Sequence, residues 1–411
     1  MKRKILIWLA LVLGGSRIAG LAAAEGPAAT ANAATEPGTY ICAIQMIDAQ
    51  DGWASTGLVA GHSLLLRTTD GGVGWRDCTP SVFSAGGEVD GALSFLDSQD
   101  AWVTTYDSKQ GVAGLLRTTN GGGSWAWFKT AALLRDAHFF DANHGVASEV
   151  NVGMGSAEYR FFQTHDGGAN WEPILIFPPD FHIDSDEPLS TLHLCNMCGE
   201  MVAYHPPGKF IITRGDMGDE QPKGAVRLSI AANYGGTWRD LKLPLPSEKY
   251  REGLAVCGSP VFVDETNGWI PAHIARENDD HSFSFDVLAF YFTQDGGETW
   301  TGRPGIIEDA GGYMERRQVA IVSARDIFVG GGGKLYATHD GARSWQAIKP
   351  NLDFGGGASK HEVSQLDFVD AAHGWVIMYD NENDALDGHA ILYKTSDGGA
   401  TWMELPLKMA H

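Results

Sequence analysis

The chain has 411 residues, with 51 acidic side chains against 30 basic ones and a net charge of −21. Apolar residues make up 44% and charged ones 20%, which supports a packed core and argues against wholesale disorder. The acidic balance argues against nucleic acid or an anionic bilayer as the main partner, and 52 glycines with no G-X-Y period exclude a collagen-like chain.

The first residues read as an address. Lys2, Arg3 and Lys4 precede an unbroken apolar run from Ile5 to Leu13, and Ala22-Ala23-Ala24 offers a small-residue cleavage site. A secretory signal peptide is therefore predicted over residues 1–24, with cleavage as late as residue 33, and its apolar run is too short to span a bilayer. Residues 25–39 read as a flexible lead-in and residues 40–411 as one domain. The expected location is secreted, or periplasmic on the envelope exterior, with no membrane span after cleavage.

One pattern then recurs seven times: TTDGGVGW ending at Trp75, TTNGGGSW at Trp125, THDGGANW at Trp171, AANYGGTW at Trp238, TQDGGETW at Trp300, THDGARSW at Trp345 and TSDGGATW at Trp402. A second pattern, F-x-D-x-x-x-G-W in its fullest form, precedes most copies. It reaches Trp53, Trp102, Val146, Trp269 and Trp375, is degenerate from Ala320 to Phe328, and is unconvincing around Leu192 to Val202. Alternating apolar residues predict strand one, the Gly-Trp segment strand two, runs such as Ser63 to Thr69 strand three, and the segment after the repeat Trp strand four. Seven such units predict an all-β fold, a seven-bladed β-propeller of four-stranded antiparallel blades. Units 1 and 7 each contain four strands, so the ring is expected to close by face packing, unless residues 34–40 add a strand to the last blade.

In the shorter pattern the acidic or amide side chain accepts backbone N–H groups of the turn it opens, and the glycines permit positive φ. The Trp packs against the adjoining blade, with its N–H seeking a carbonyl. Asp70, Asn120, Asp166, Asn233, Asp295, Asp340 and Asp397 are thus expected to be structural, together with Trp75, Trp125, Trp171, Trp238, Trp300, Trp345 and Trp402. No catalytic residue and no cofactor is assigned.

This pattern resembles the Asp-box of the bacterial neuraminidase (BNR) repeat, in which the box is a fold marker in the turn between strands three and four. With the F-x-D-x-x-x-G-W segments, residues 40–411 are similar to the photosystem II assembly/stability factor-like family, which includes exported bacterial proteins. Unit 4 departs from it with Ala231 and Asn233, and unit 6 with Ala342 for the second glycine. The chain shows no Arg cluster beyond Arg316-Arg317, so the photosynthetic role does not carry over. Sialidases share the box, but their early Arg-Ile-Pro motif is missing, and Gly302-Arg303-Pro304 comes late and in the wrong order.

Long acidic insertions remain, from Ala275 to Asp286, from Tyr379 to His389, and around Asp184 and Asp216. The resemblance implies that they emerge opposite the boxes. They read as solvated loops or as a site for a cationic partner or Ca²⁺, with Asp380, Glu382 and Asp384 as calcium candidates. Ala385 stands where the turn glycine of a calcium loop belongs. Cys195-Asn-Met-Cys198 lacks the residues of a haem or zinc motif, and export favours disulfide pairing among Cys42, Cys78, Cys195, Cys198 and Cys257 with at least one thiol left over. The expected function is a non-enzymatic, monomeric scaffold that binds or assembles another macromolecule, protein or glycan, through one propeller face. The alternative is a carbohydrate-active propeller, either hydrolase, sialidase-like or glycan-binding.

Overall fold

The computed structural model describes residues 39–409 apart from 58–62, 81–92, 108–111, 132, 135–136, 154–155, 175–190, 196–200, 206–208, 215–224, 233–236, 246–253, 259, 278–282, 309–317, 356–358, 360 and 381–388. The predicted signal peptide, most of the lead-in, Glu382, Asp384 and the central parts of the acidic insertions lie outside the described residues.

The strands pair into antiparallel sheets, each built from consecutive strands of one sequence unit. In unit 1 these are Ile41–Met46, Gly52–Thr56, Leu65–Thr68 and Arg76–Asp77. Unit 3 gains Thr191–Cys195 beside its third strand, and unit 5 splits its first strand into Leu254–Cys257 and Val261–Phe262. First strands of successive units touch one another: His361–Phe368 meets both Gln318–Ile321 and Ile41–Met46, and Leu93–Phe95 meets His138–Phe139. Fourth strands such as Arg76–Asp77 and Ala126–Lys129 are largely exposed. First strands are therefore innermost and fourth strands outermost, the arrangement of a β-propeller with four-stranded antiparallel blades.

Seven equivalent blades were expected, and the regular blade is present six times. Units 1, 2, 3, 5, 6 and 7 each close the last hairpin with the same box turn, in which a Thr hydroxyl accepts the N–H four residues on, as from Gly72 to Thr68 at 2.9 Å. The sheet from Met201–His205 to Thr237–Pro244 stands apart. Its sequence has Ala231 where that hydroxyl belongs, and positions 233–236 of its box lie outside the described residues.

Six buried clusters join neighbouring units 1 to 2, 2 to 3, 4 to 5, 5 to 6, 6 to 7 and 7 to 1. The residue after Gly in F-x-D-x-x-x-G-W builds most of these seams. Trp53 stacks on Phe95 of unit 2 at 5.1 Å, Trp102 on Phe139 of unit 3 at 3.8 Å, and Phe328 on Phe368 of unit 7 at 3.7 Å. The indole N–H groups also cross: Trp53 donates to the Asp97 carbonyl (3.3 Å), Trp102 to Gly167 (2.9 Å), Trp269 to Ser323 (3.1 Å) and Trp375 to Gly71 (3.0 Å). Sequence reading gave the search for a carbonyl to the box tryptophans instead. Trp171, Trp300 and Trp402 find one in the second glycine of their own box, and Trp125 finds Cys78. The buried N–H groups of Trp75 and Trp345 find none.

Units 1 and 7 each keep four strands of their own. The seam between them gains a parallel bridge that brings Met409 beside Trp75, whose backbone N–H donates to the Lys408 carbonyl at 2.8 Å.

Candidate functional site

The two repeated turns of each regular blade share one rim. The leading Asp of the strand one–two turn takes backbone N–H groups, as Asp97 does from Gln99 (2.7 Å) and Asp100 (2.9 Å). The first box glycine then donates to a carbonyl of that turn, for example Gly121 to Gln99 at 2.9 Å and Gly398 to Ala372 at 2.9 Å. Within the box, Asp295 Oδ1 accepts from Thr299 N (2.9 Å) and the Thr293 hydroxyl (2.7 Å). The Ser344 hydroxyl bond leads a set that holds the Asp340 carboxyl far below its ordinary range, and the Thr401 hydroxyl leads one that lowers Asp397. At Asp70 and Asp166 burial works against ionisation, yet turn hydrogen bonds outweigh it. These carboxylates are occupied by their own turns, and they sit in separate blades rather than converging. Asn120 makes the same bonds with its amide oxygen, from Ser124 N (2.9 Å) and Thr118 (3.0 Å). A neutral acceptor therefore suffices. Asn233 and the Trp238 side chain lie outside the description.

Of the other candidates, only some fall among the described residues. Asp380 ends strand Gly374–Asp380 and pairs in register with His361 and His389, while Glu382 and Asp384 lie outside the described residues. Among the described residues, no three His, Cys, Asp or Glu side chains are gathered as a metal site. Cys42 and Cys78 are free thiols, each pushed up in pKa by burial, and Cys198 lies outside the described residues.

Around the axis, the first strands are tied by side chains. Asp367 of unit 7 accepts the Met46 N–H at 2.8 Å, and Gln365 pairs with both the N–H (2.9 Å) and the carbonyl (2.6 Å) of Ile44. The Gln45 amide donates to the Phe95 carbonyl (3.3 Å), and the Ser94 hydroxyl accepts the Phe139 N–H (3.2 Å). Gln45, Ser94, His138 and Asp367 hold the same place in their units. Burial raises the Asp367 carboxyl to about 7 against the opposing Met46 bond, and lowers His138 to about 4. This arc stitches strands together, and its perturbed groups are sealed in protein.

One concavity among the described residues lies between units 1 and 2. A cleft of about 360 Å³ is lined by Asp77, Cys78, Thr79, Pro80, Leu116, Gly122, Gly123, Ser124, Trp125 and Trp127. Trp127 is 47% exposed, an unusual position for an indole. Its ring covers Gly114, where even a methyl would strike Nε1, so the glycine allows the ring to lie flat across the strand. Trp125 forms a second wall, anchored by its N–H on the Cys78 carbonyl and edge-on to Trp53 at 6.4 Å. Polar groups ring these indoles. Asp77 Oδ1 is held by Thr79 N (2.8 Å), and Ser124 Oγ accepts from the Asn120 amide (2.9 Å). Flat aromatic faces beside a few hydroxyl and carboxylate groups suit a ligand with one apolar face and a polar edge.

Sequence reading missed this cleft because its walls come from two units and meet only across a seam. One signal was present: the second residue after the box Trp is Asp77, Pro173, Asp240, Gly302, Ala347 or Glu404 in other units, and Trp127 in unit 2 alone.

No family model matches the chain, and no characterised protein matches it in sequence. Solved structures do. The β-propeller domain of the Trilobed protease from Pyrococcus furiosus, described as having an open velcro topology, aligns over 90% of this chain and 95% of its own at 10% identity, with a TM-score of 0.50. The GH74 enzyme of Niastella koreensis (12% identity, 90% and 72% covered, TM-score 0.33) and a PL25 ulvan lyase (11%, 90% and 93%, 0.49) align less well. At such identities the likeness is one of fold. The chain is an all-β propeller of four-stranded antiparallel blades.

Proposed function

We propose that this chain is an exported Asp-box propeller, similar to the photosystem II assembly/stability factor-like family, that binds a glycan in the cleft between units 1 and 2. The sheet of residues 201–244 is its seventh, divergent blade. The exposed Trp127 platform carries the functional reading. Sugar rings present C–H faces that pack on indoles and hydroxyl edges that Asp77 and Ser124 can meet. Asp77 is the only carboxylate lining the cleft among the described residues, and glycosidic hydrolysis by acid and base or nucleophile needs two. The cleft is therefore read as a binding site.

A glycan array followed by calorimetry on Trp127→Ala tests this. Trp127 lies outside the buried core, so the variant should melt like the parent while losing affinity at least tenfold, about 1.4 kcal/mol. Unchanged glycan binding by a folded variant would end the proposal. Binding to a cationic protein that weakens with salt would favour the scaffold reading, with Asp279, Asp280 and Asp387 on the acidic insertions as its surface.

A further inference from the structure

The seam between units 5 and 6 is charged differently from its counterparts. In units 1 and 2 an Arg caps the Gly-Trp indole and is neutralised from the turn below. Arg67 lies 5.7 Å from the Trp53 centroid and pairs with Asp51 at 2.9 Å; Arg117 lies 5.1 Å from Trp102 and pairs with Asp100 at 3.3 Å. Unit 5 has Asn267 in place of that Asp and Phe292 in place of that Arg. Its cation comes instead from the outer strand. Arg303, opposite Phe290 in register, sets its guanidinium carbon 4.8 Å from the Phe292 centroid, and Phe292 leans on Trp269 at 4.3 Å.

A second guanidinium reaches the same stack from unit 6. A Cβ placed on Gly341 would meet Arg343 Nη1 at 3.4 Å and the Trp269 ring at 3.7 Å, so both groups border one small space. Among the described residues, neither Arg303 nor Arg343 makes an ion pair. The acids nearby are engaged. Glu298 is held by Lys209 and Arg239, each at 2.6 Å, and Asp326 by His339 (2.9 Å) and the Ser323 hydroxyl (2.7 Å). Asp340 is filled by Ser344, Thr338 and the Arg343 N–H, while Arg343 Nη1 donates to the Asp340 carbonyl. The Arg325 Nε is turned to the His339 carbonyl at 3.2 Å.

Arg303 Nε and Trp345 Nε1 are sealed from solvent without an acceptor, as are Arg67 Nε, Arg117 Nε and Trp75 Nε1 at other seams, and the Trp345 ring lies 5.1 Å from that of Phe290, the residue opposite Arg303. Buried donors ordinarily find partners, and like charges brought together repel. Burial and the Arg343 charge accordingly both press the Arg303 pKa downward. An acceptor-only group of negative charge would answer the two guanidinium groups that have no ion pair.

We propose that the unit 5–6 seam is an oxyanion site, in which Arg303 and Arg343 hold a sulfate, phosphate or carboxylate group. This site is independent of the Trp127 cleft. Sulfate stabilises most proteins by exclusion, so the readout is the difference between the parent and Arg343→Gln. Calorimetry and melting curves on the full chain would use sodium sulfate, sodium phosphate and a galacturonate oligosaccharide, each matched in ionic strength with sodium chloride. The parent should bind at least one anion saturably, with Arg343→Gln at least tenfold weaker. Arg303→Lys keeps the charge but loses the two-pronged donor, and should also weaken binding. Tighter binding of the oligosaccharide than of free ions would assign the anion to a glycan substituent, and the reverse would assign it to a free ion. Equal responses of parent and Arg343→Gln to all three, beyond chloride, would overturn the site.

Discussion

The seams between units 2 and 3 and between units 5 and 6 are built from the same parts to opposite electrostatic ends. At the first, Trp102 stacks within 3.8 Å of Phe139, its N–H reaches Gly167, and the Arg117 above it is matched by Asp100. At the second, Trp269 is equally buried and its N–H reaches Ser323, but the partner in the next unit is the aliphatic Ile321, and two arginines stand without an ion pair among the described residues. Stacking and charge compensation are thus separable in this fold. The repeat needs the aromatic wedge; it does not need the ion pair. A seam released from charge balance is free to take a ligand, and only one of these two has been.

The largest effect should come from removing the wedge. Trp102→Ala leaves a cavity at the unit 2–3 seam and should cost about 3–5 kcal/mol, read as a lowered denaturation midpoint. A loss below about 1 kcal/mol would mean that the stacks do not carry the seams. Asp295→Ala should cost about 0.5–2 kcal/mol if box turns behave like capped helix ends, with glycan binding by the folded protein unchanged. Normal stability with lost binding would make the boxes functional after all.

A smaller gain is expected at the unit 5–6 seam. Ala342 holds φ 59°, the only positive value outside glycine among the described residues. Ala342→Gly relieves about 1–2 kcal/mol of left-handed strain and forfeits about 0.8 kcal/mol of methyl burial, leaving a net gain below about 1 kcal/mol. A lower melting temperature would show that the methyl's packing outweighs the strain. A further effect is one of slope. With its folded carboxyl near 7 and an ordinary unfolded value, Asp367 is protonated more in the folded state between about pH 4 and 7. Its share of stability is full below that window and falls as pH rises through it. Asp367→Asn should flatten the dependence of melting temperature on pH across that range; an unchanged slope would place the titration elsewhere.

Much of the fold was legible because each regular blade repeats its own instructions. The box and the F-x-D-x-x-x-G-W turn fix both hairpins on one rim, and Phe95, Phe139 and Phe368 announce where the wedge of the preceding unit lands. Unit 4 was hard to read for a physical reason: position 231 has no Thr hydroxyl to accept the turn N–H, and among the described residues its last hairpin is defined by pairing across Ala225–Ala232 and Thr237–Pro244. The candidate sites were illegible for a different reason. Trp125 and Cys78 lie 47 positions apart yet share a bond, and Arg303 meets the Trp269 stack alongside Arg343 of the next unit. Both are products of neighbouring units rather than of a motif. The acidic insertions drew attention through composition alone, and their central parts lie outside the described residues.

The seam tryptophans also make the ring self-reporting. Trp53, Trp102, Trp269 and Trp375 are each wholly buried and each spend their indole N–H on the following unit. Any parting of two units would hand that N–H and its ring to water at once. A shift in the emission of these fluorophores would then record the parting of a seam without a label.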